Sequence, residues 1–152
     1  MARETANPSA LSMGHYALGL VLKKSHPDQA LALLDEAARL AAEVQNFWWE
    51  GIALMEAAAT RAVHGDPAEG AKALGVVLDH WDQVGDWTQQ WLNLRYVVRL
   101  LVRLGAEHEA TMLHHSLVAA GKPSPLKTAG PGLALPATEA VAMARESLSR
   151  YC

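Results

Sequence analysis

Apolar residues recur along this chain at steps of three and four, the spacing that places side chains on one face of an α-helix. One stripe follows Pro27 and a stronger one follows Asp86. The two stripes are Leu31, Leu34, Ala38 and Ala41, and then Trp87, Trp91, Leu94, Val98 and Leu101. The pattern predicts helices over 8–24, 27–45, 47–64, 67–84, 87–104 and 107–121, in three antiparallel pairs with short connections.

The pattern also repeats, with a period of about 40 residues. Pro27 and Pro67 are separated by this interval, and the segment 45–47 matches the segment 85–87. Small residues in one register open the second helix of each pair: Ala30, Gly70 and Ala110. Because several matches share one offset, the sequence predicts a helical repeat rather than a set of unrelated helices.

Two of the predicted helices begin with a capping box, in which a polar N-cap is followed three residues later by Glu or Gln. The first is Asp66 with Glu69, and Pro67 stands at the first helical position, where its missing N–H costs no hydrogen bond. The second is Asp86 with Gln89. These signals place the starts of the fourth and fifth helices.

The composition changes after Gly121. Residues 122–136 contain four prolines and two glycines, which predicts an extended strap. Residues 137–150 return to a helical pattern, and we expect this helix to cover an otherwise exposed end of the repeat. The predicted organisation is a helical-repeat domain over 1–121, a Pro/Gly-rich strap over 122–136 and a C-terminal capping helix of the same domain over 137–152.

Composition and charge narrow the functional classes. The net charge of −3 lacks the basic excess of a nucleic-acid-binding domain, so we expect no direct contact with nucleic acid. No stretch reaches the roughly 20 apolar residues of a membrane span, and the N-terminus lacks a signal-peptide pattern. The single cysteine, Cys152, cannot form an internal disulfide. Together these features predict a cytoplasmic protein that does not associate with a membrane.

The repeat resembles the tetratricopeptide pattern, although its period is longer than the roughly 34 residues that are usual in that family. An apolar residue follows the small residue by four positions in two repeats, whereas the third has His114 there. The resemblance implies an all-α fold, a right-handed superhelical stack of about three antiparallel helix pairs closed by the capping helix.

Three segments more specifically resemble the C-terminal helical-repeat region of actinobacterial LuxR-type transcriptional regulators built around a signal-transduction (STAND) ATPase. They are Gly14-His15-Tyr16-Ala17-Leu18-Gly19, His64-Gly65-Asp66-Pro67-Ala68-Glu69 and Gly85-Asp86-Trp87-Thr88-Gln89-Gln90-Trp91. The resemblance implies that the chain is part of a longer regulator, with its ATPase and DNA-binding parts elsewhere. The partner it implies is a protein, a peptide or that ATPase, and it implies no enzymatic activity for this part.

A stripe of arginines is the first candidate binding site. Arg95, Arg99 and Arg103 lie at steps of four on one predicted helix, and a guanidinium group binds two oxygens of a carboxylate or phosphate at once. On a tetratricopeptide template the stripe lies on or near the concave surface, with Met55 at an equivalent position of the middle repeat. The alternative is a solvated face whose arginines pair with acidic residues of a neighbouring helix.

Tryptophans supply the second set of candidates. Trp48 and Trp49 are adjacent, so on a helix they point about 100° apart and cannot both face the core. One of them is a candidate surface anchor, the alternative being packing between repeats. Trp87 and Trp91 lie on the apolar stripe, and we expect both to be in the core.

Catalytic and metal-binding patterns are weak. His114 and His115 are neighbours and do not have the i, i+4 spacing of helical zinc ligands. The sequence contains neither a Gly-rich phosphate loop nor a nucleophile elbow. We therefore expect no metal, no cofactor and no catalytic residue.

Three functions stay open from sequence. The first is a regulatory or scaffold module that binds a protein segment or effector for a larger regulator. The second is a structural role in packing or homodimerisation, which a predominantly apolar exposed surface at residues 8–24 would favour. The third is a helical enzyme domain, which would need a deep polar pocket.

Overall fold

The computed structural model describes residues 7–152, and within this range the chain forms seven α-helices and no β-strand. The helices are α1 (Pro8–Leu22), α2 (Pro27–Glu43), α3 (Phe47–His64), α4 (Pro67–Val84), α5 (Trp87–Arg103), α6 (Glu107–Ala119) and α7 (Ala137–Ser149). The predicted all-α class is confirmed, and every helix begins at its predicted residue and ends within two residues of the predicted end. None of the described helices is long and apolar enough to cross a membrane.

Two compact units make up the chain, and the division between them falls inside α3. The first unit extends to Thr60 and the second begins at Arg61. Within the units consecutive helices pack against each other, as a helical repeat requires.

In the first unit, α1 approaches α2 closely at a glycine. A Cβ atom added to Gly19 would lie 2.9 Å from Leu34 Cγ. The buried Ser12 hydroxyl donates to the Ala37 carbonyl at 2.6 Å and accepts from the Trp49 indole N–H at 2.8 Å. One hydroxyl therefore links α1 to both α2 and α3.

Two further contacts join α1, or the residue just after it, to α3 within this unit. The Tyr16 and Trp49 rings meet edge to face with centroids 4.8 Å apart, a favoured aromatic geometry. Lys23 forms an ion pair with Glu56 at 3.3 Å. Burial, and then the negative charge of Glu56, raise the pKa of Tyr16 to about 12, so its hydroxyl stays protonated at neutral pH.

In the second unit, α4 to α7 form a closed ring of contacts. Each of these helices packs against the next, and α7 folds back to contact α4 and α5 as well as α6. Surface ion pairs lie along α7, between Arg145 and Asp79 of α4 at 2.8 Å and between Arg150 and Glu109 of α6 at 3.2 Å. Since α7 contacts the three other helices, the C-terminal helix is part of the packing of this unit.

The repeat period is visible in the helix ends. Asn46 Oδ1 accepts from the Trp49 N–H, and Asp86 Oδ1 accepts from the Gln89 N–H, both at 3.1 Å. The residue before each cap has a left-handed backbone conformation, with φ of 58° at Gln45 and 79° at Gly85. The turn and cap at residues 45–46 thus recur 40 residues later, at residues 85–86.

Other cap predictions are met only in part. Asp66 Oδ1 accepts from the Ala68 N–H at 2.9 Å, as an N-cap should. The Gln89 side-chain oxygen is buried and makes no hydrogen bond within residues 7–152, so the reciprocal half of that capping box is not formed. His26, before Pro27, also makes no side-chain capping bond.

Residues 122–136 contain neither helix nor strand, as predicted for the strap. Three consecutive residues of α6 hold this segment. Their bonds, at 2.7 to 2.8 Å, join His114 Nδ1 to Ser124 Oγ, His115 Nε2 to the Gly130 carbonyl, and Ser116 Oγ to the Leu135 N–H. The strap is therefore fixed to α6 along its length.

Gly70 and Gly75, both in α4, provide a matched test of helix contact. A Cβ atom at Gly70 would lie 2.8 Å from Ala62 Cα, whereas one at Gly75 would meet no atom within 4 Å. We expect Gly70→Ala to lower the free energy of unfolding by about 2 kcal/mol through overpacking. Gly75→Ala should raise it by about 1 kcal/mol through helix propensity. Thermal and urea unfolding of both variants measure this, and equal effects would contradict the close contact.

His114 provides a pH test of the strap. Burial, and then the neighbouring His115, lower the pKa of His114 below its ordinary value. The unfolded chain therefore binds the proton more readily, so this contribution to stability is complete above the unfolded pKa of about 6.5 and is lost as the pH falls towards the folded value. We expect the melting temperature to fall between pH 7.5 and 5.5.

The matched variants are His114→Asn, which removes the titration, and His108→Asn, which removes an exposed histidine of the same helix. We expect the first to flatten the pH dependence and the second to leave it intact. A wild-type dependence that survives in His114→Asn would assign it to another group.

Candidate functional site

The fifth helix, α5, concentrates positive charge. It contains three arginines and no acidic residue, although the whole chain has a net charge of −3. Its buried side includes Leu94, Val98 and Leu101, and the arginines lie on other sides of the helix. Arg95 is half-buried, whereas Arg99 and Arg103 are exposed.

Arg103 has a structural role. Its Nη1 donates to the Ala62 carbonyl at 2.7 Å. This carbonyl lies in the last turn of α3, where carbonyl groups lack an intrahelical partner and a positive charge is favourable. The geometry therefore assigns Arg103 to capping α3.

Arg95 and Arg99 differ from the other arginines within residues 7–152. Neither makes a hydrogen bond or an ion pair with any residue in 7–152, so the alternative in which they pair with acidic residues of a neighbouring helix is not observed there. Arg39, Arg145 and Arg150 all bind carboxylates of the chain. Two guanidinium groups one helical turn apart thus keep their binding capacity.

The surroundings of Arg95 limit how it can bind. Its Nε atom is buried without a hydrogen-bond partner in the described chain, while its two terminal nitrogens are not among the buried atoms. Burial of the stem restricts the side chain and directs the terminal nitrogens outwards. Arg95 and Arg99 start about 6 Å apart along the helix axis, a spacing that suits two separate oxyanions.

Buried amides are a feature of α5 that the sequence analysis missed. Gln90 is buried, and its amide donates to the Leu78 carbonyl of α4 at 2.9 Å. Asn93 is fully buried, and neither its amide nitrogen nor its amide oxygen has a hydrogen-bond partner within residues 7–152. The signal was present in the sequence, because 90, 93, 97 and 100 form a second stripe at helical spacing beside the apolar one.

The candidates from α3 separate into core and surface. Met55 is 1% exposed, so its predicted place among the binding residues is corrected to a buried position. Trp49 packs on Tyr16 and donates to Ser12, which makes it a contact between helices. Trp48 is 45% exposed and remains the surface member of the pair.

The two tryptophans at the start of α5 also differ. Trp91 is buried as predicted, but Trp87 is 39% exposed, so its predicted place in the core is wrong. Trp87 is the first residue of α5, beyond the last turn of α4, which ends at Val84. The first residue of the apolar stripe therefore lies past the end of α4, where that helix does not cover it.

Metal-binding clusters and surface clefts are the remaining candidates for a site. Residues 7–152 contain no group of three His, Cys, Asp or Glu residues that could hold a metal ion. His114 and His115 of α6 instead hold the strap. A shallow cleft of about 390 Å³ beside Trp91 is lined mainly by alanines and has no charged side chain. The arginine pair is therefore the most chemically distinct surface of the second unit.

No protein-family model, curated protein or solved structure matches this chain.

Asn93 provides a test of the buried amide. A buried polar group without a hydrogen bond is destabilising, and leucine has the same branched shape with methyl groups in place of the amide atoms. We expect Asn93→Leu to raise the free energy of unfolding by about 1 kcal/mol, measured by urea denaturation. The control is Gln90→Leu, which removes an observed hydrogen bond and should lower stability. A loss of stability in Asn93→Leu would show that its amide is paired in solution.

Proposed function

We propose that this chain is a non-enzymatic interaction module that binds an acidic protein segment through Arg95 and Arg99. The observation that supports it best is the absence of any bond from either guanidinium group to residues 7–152, although the same residues supply carboxylates to other arginines. Both arginines lie on a helix without acidic side chains, so their positive charge is not neutralised locally.

The chemistry of the surface favours carboxylates on a helix. Guanidinium groups bind carboxylates through two parallel hydrogen bonds. The separation of about 6 Å between Arg95 and Arg99 along the axis equals the rise between residues i and i+4 of a partner helix. A partner with two Glu residues at that spacing would meet both arginines at once. The exposed Val102, on the same helix, adds apolar contact at the edge of such a segment.

The wider setting of this activity is also a proposal. Packed consecutive helices, and the recurrence of the same turn and cap after one repeat period, support a tetratricopeptide-like superhelix. The sequence resemblance then supports a regulatory module of a LuxR-type transcriptional regulator, in which the acidic segment belongs to the ATPase or to a protein partner. Arg103 and Met55 have no part in this binding surface, because one caps a helix and the other is buried.

A second function has an observation of its own. The solvent-facing side of α1 is apolar, which favours a structural role in packing or dimerisation. The two functions use different helices and do not exclude each other.

The acidic-segment proposal can be tested with a designed peptide. The ligand is an alanine-based helix of four to five turns with Glu at two positions four residues apart, and the matched peptide has Gln at both. We expect the Glu peptide to bind at least tenfold more tightly in low salt, as measured by calorimetry. The variant Arg95→Gln/Arg99→Gln should reduce its affinity about tenfold, because both charge-assisted contacts are lost.

Arg103→Gln is the control, since it removes one positive charge from the same helix. We expect it to lower the melting temperature through loss of the α3 cap while leaving peptide affinity within about twofold. Equal affinity of wild type and Arg95→Gln/Arg99→Gln for the Glu peptide would refute the proposed site.

A further inference from the structure

The first helix, α1, presents an apolar side to solvent. Its side facing α2 and α3 buries Ser12 and Gly19. Its solvent-facing side contains no polar side chain: the exposed residues are Ala10, Leu11, Met13, Gly14, Ala17, Leu18 and Val21. A contiguous exposed apolar patch of this kind marks an interaction site.

Four of these residues form a regular seam. Leu11, Gly14, Leu18 and Val21 are spaced by three, four and three residues, the pattern of the contact positions in paired helices. Leu18 is 49% exposed and Val21 is 75% exposed. A Cβ atom added to Gly14 would meet nothing within 4 Å, so the seam has an open gap between its two leucines.

We propose that this seam binds the same seam of a second copy of the chain, with the two α1 helices antiparallel. In that register Leu18 of each copy fills the gap at Gly14 of the other, and Leu11 lies opposite Val21. The seam is therefore self-complementary, as the shared surface of a two-fold dimer must be. This inference rests on α1 alone and is independent of the arginine surface of α5.

The electrostatics of α1 permit this pairing. The seam has no charged residue, so two copies bring no like charges together at its centre. Lys23, just beyond the helix, already pairs with Glu56 of its own unit. Antiparallel helices also place the positive end of one helix dipole beside the negative end of the other.

The size of the seam sets the strength of the dimer. One 15-residue helix from each copy offers less area than the roughly 800 Å² per partner of a stable interface. We therefore expect a reversible dimer with a dissociation constant on the order of 100 µM.

Sedimentation equilibrium of the whole 16.4 kDa chain from about 10 µM to 1 mM tests the dimer. Wild type should shift from monomer to dimer, and Leu18→Glu should remain monomeric. The control Val76→Glu alters a valine of α4 that is 51% exposed and should dimerise like wild type. A wild type that stays monomeric at the highest concentration overturns the proposal and leaves the face to a helix of another protein.

The variant Gly14→Leu distinguishes specific packing of the seam from nonspecific hydrophobic association. It adds apolar surface and improves helix propensity, so nonspecific association should increase. If Leu18 of the partner occupies the gap, however, Gly14→Leu should weaken the dimer about tenfold or more. Stronger association of Gly14→Leu, with circular dichroism showing a folded chain, overturns the proposed packing.

Disulfide trapping tests the orientation in a Cys152→Ser background. Antiparallel pairing brings position 14 of one copy opposite position 18 of the other, within the Cα separation that a disulfide spans. The double variant Gly14→Cys/Leu18→Cys should therefore form a covalent dimer on mild oxidation, and each single variant should not. Cross-linking by the single variants would show a parallel pair and overturn the register.

Discussion

The close approach of paired helices at small residues is the constraint on which the rest of this structure depends. At the α3–α4 turn, Gly70 lies so near Ala62 that a methyl group would overlap the backbone. Gly19 of α1 likewise makes room for Leu34 of α2. Because these contacts set the distance between helices, the larger side chains further along each apolar stripe can interlock. Ala30 and Ala110, which open the other second helices, are buried as well.

The helices could be predicted because their signals are local. Proline at the first position of α2 and α4 and the N-cap carboxylate of Asp86 act within one turn. The left-handed turns at Gln45 and Gly85 are equally local. Only the turn at Gly85 could be predicted from the residue type, since glycine adopts positive φ without strain. The starts and ends of the helices could therefore be predicted from the spacing and type of the residues alone.

The roles of individual side chains were less accessible, because they depend on what lies across from each residue. Arg95, Arg99 and Arg103 look equivalent in sequence, but only Arg103 reaches the carbonyl of Ala62. Met55 is buried although a repeat template places it on a groove. The amide of Asn93 was missed because it interrupts an apolar helix side without a motif of its own. Tertiary packing decides each of these cases.

Two surfaces have no partner within the described chain: the arginine pair of α5 and the exposed apolar side of α1. They differ in the interaction that a partner would supply. On α5 the unsatisfied property is charge: the guanidinium groups of Arg95 and Arg99 bind no carboxylate within residues 7–152, so a partner adds specificity and salt dependence. On α1 the unsatisfied property is exposed apolar area. Removing Leu18 and Val21 from water lowers the free energy, whichever partner covers them. A contact through α5 should therefore weaken as salt is added, whereas a contact through α1 should persist. The two surfaces can serve different partners because the forces that act at each are separable.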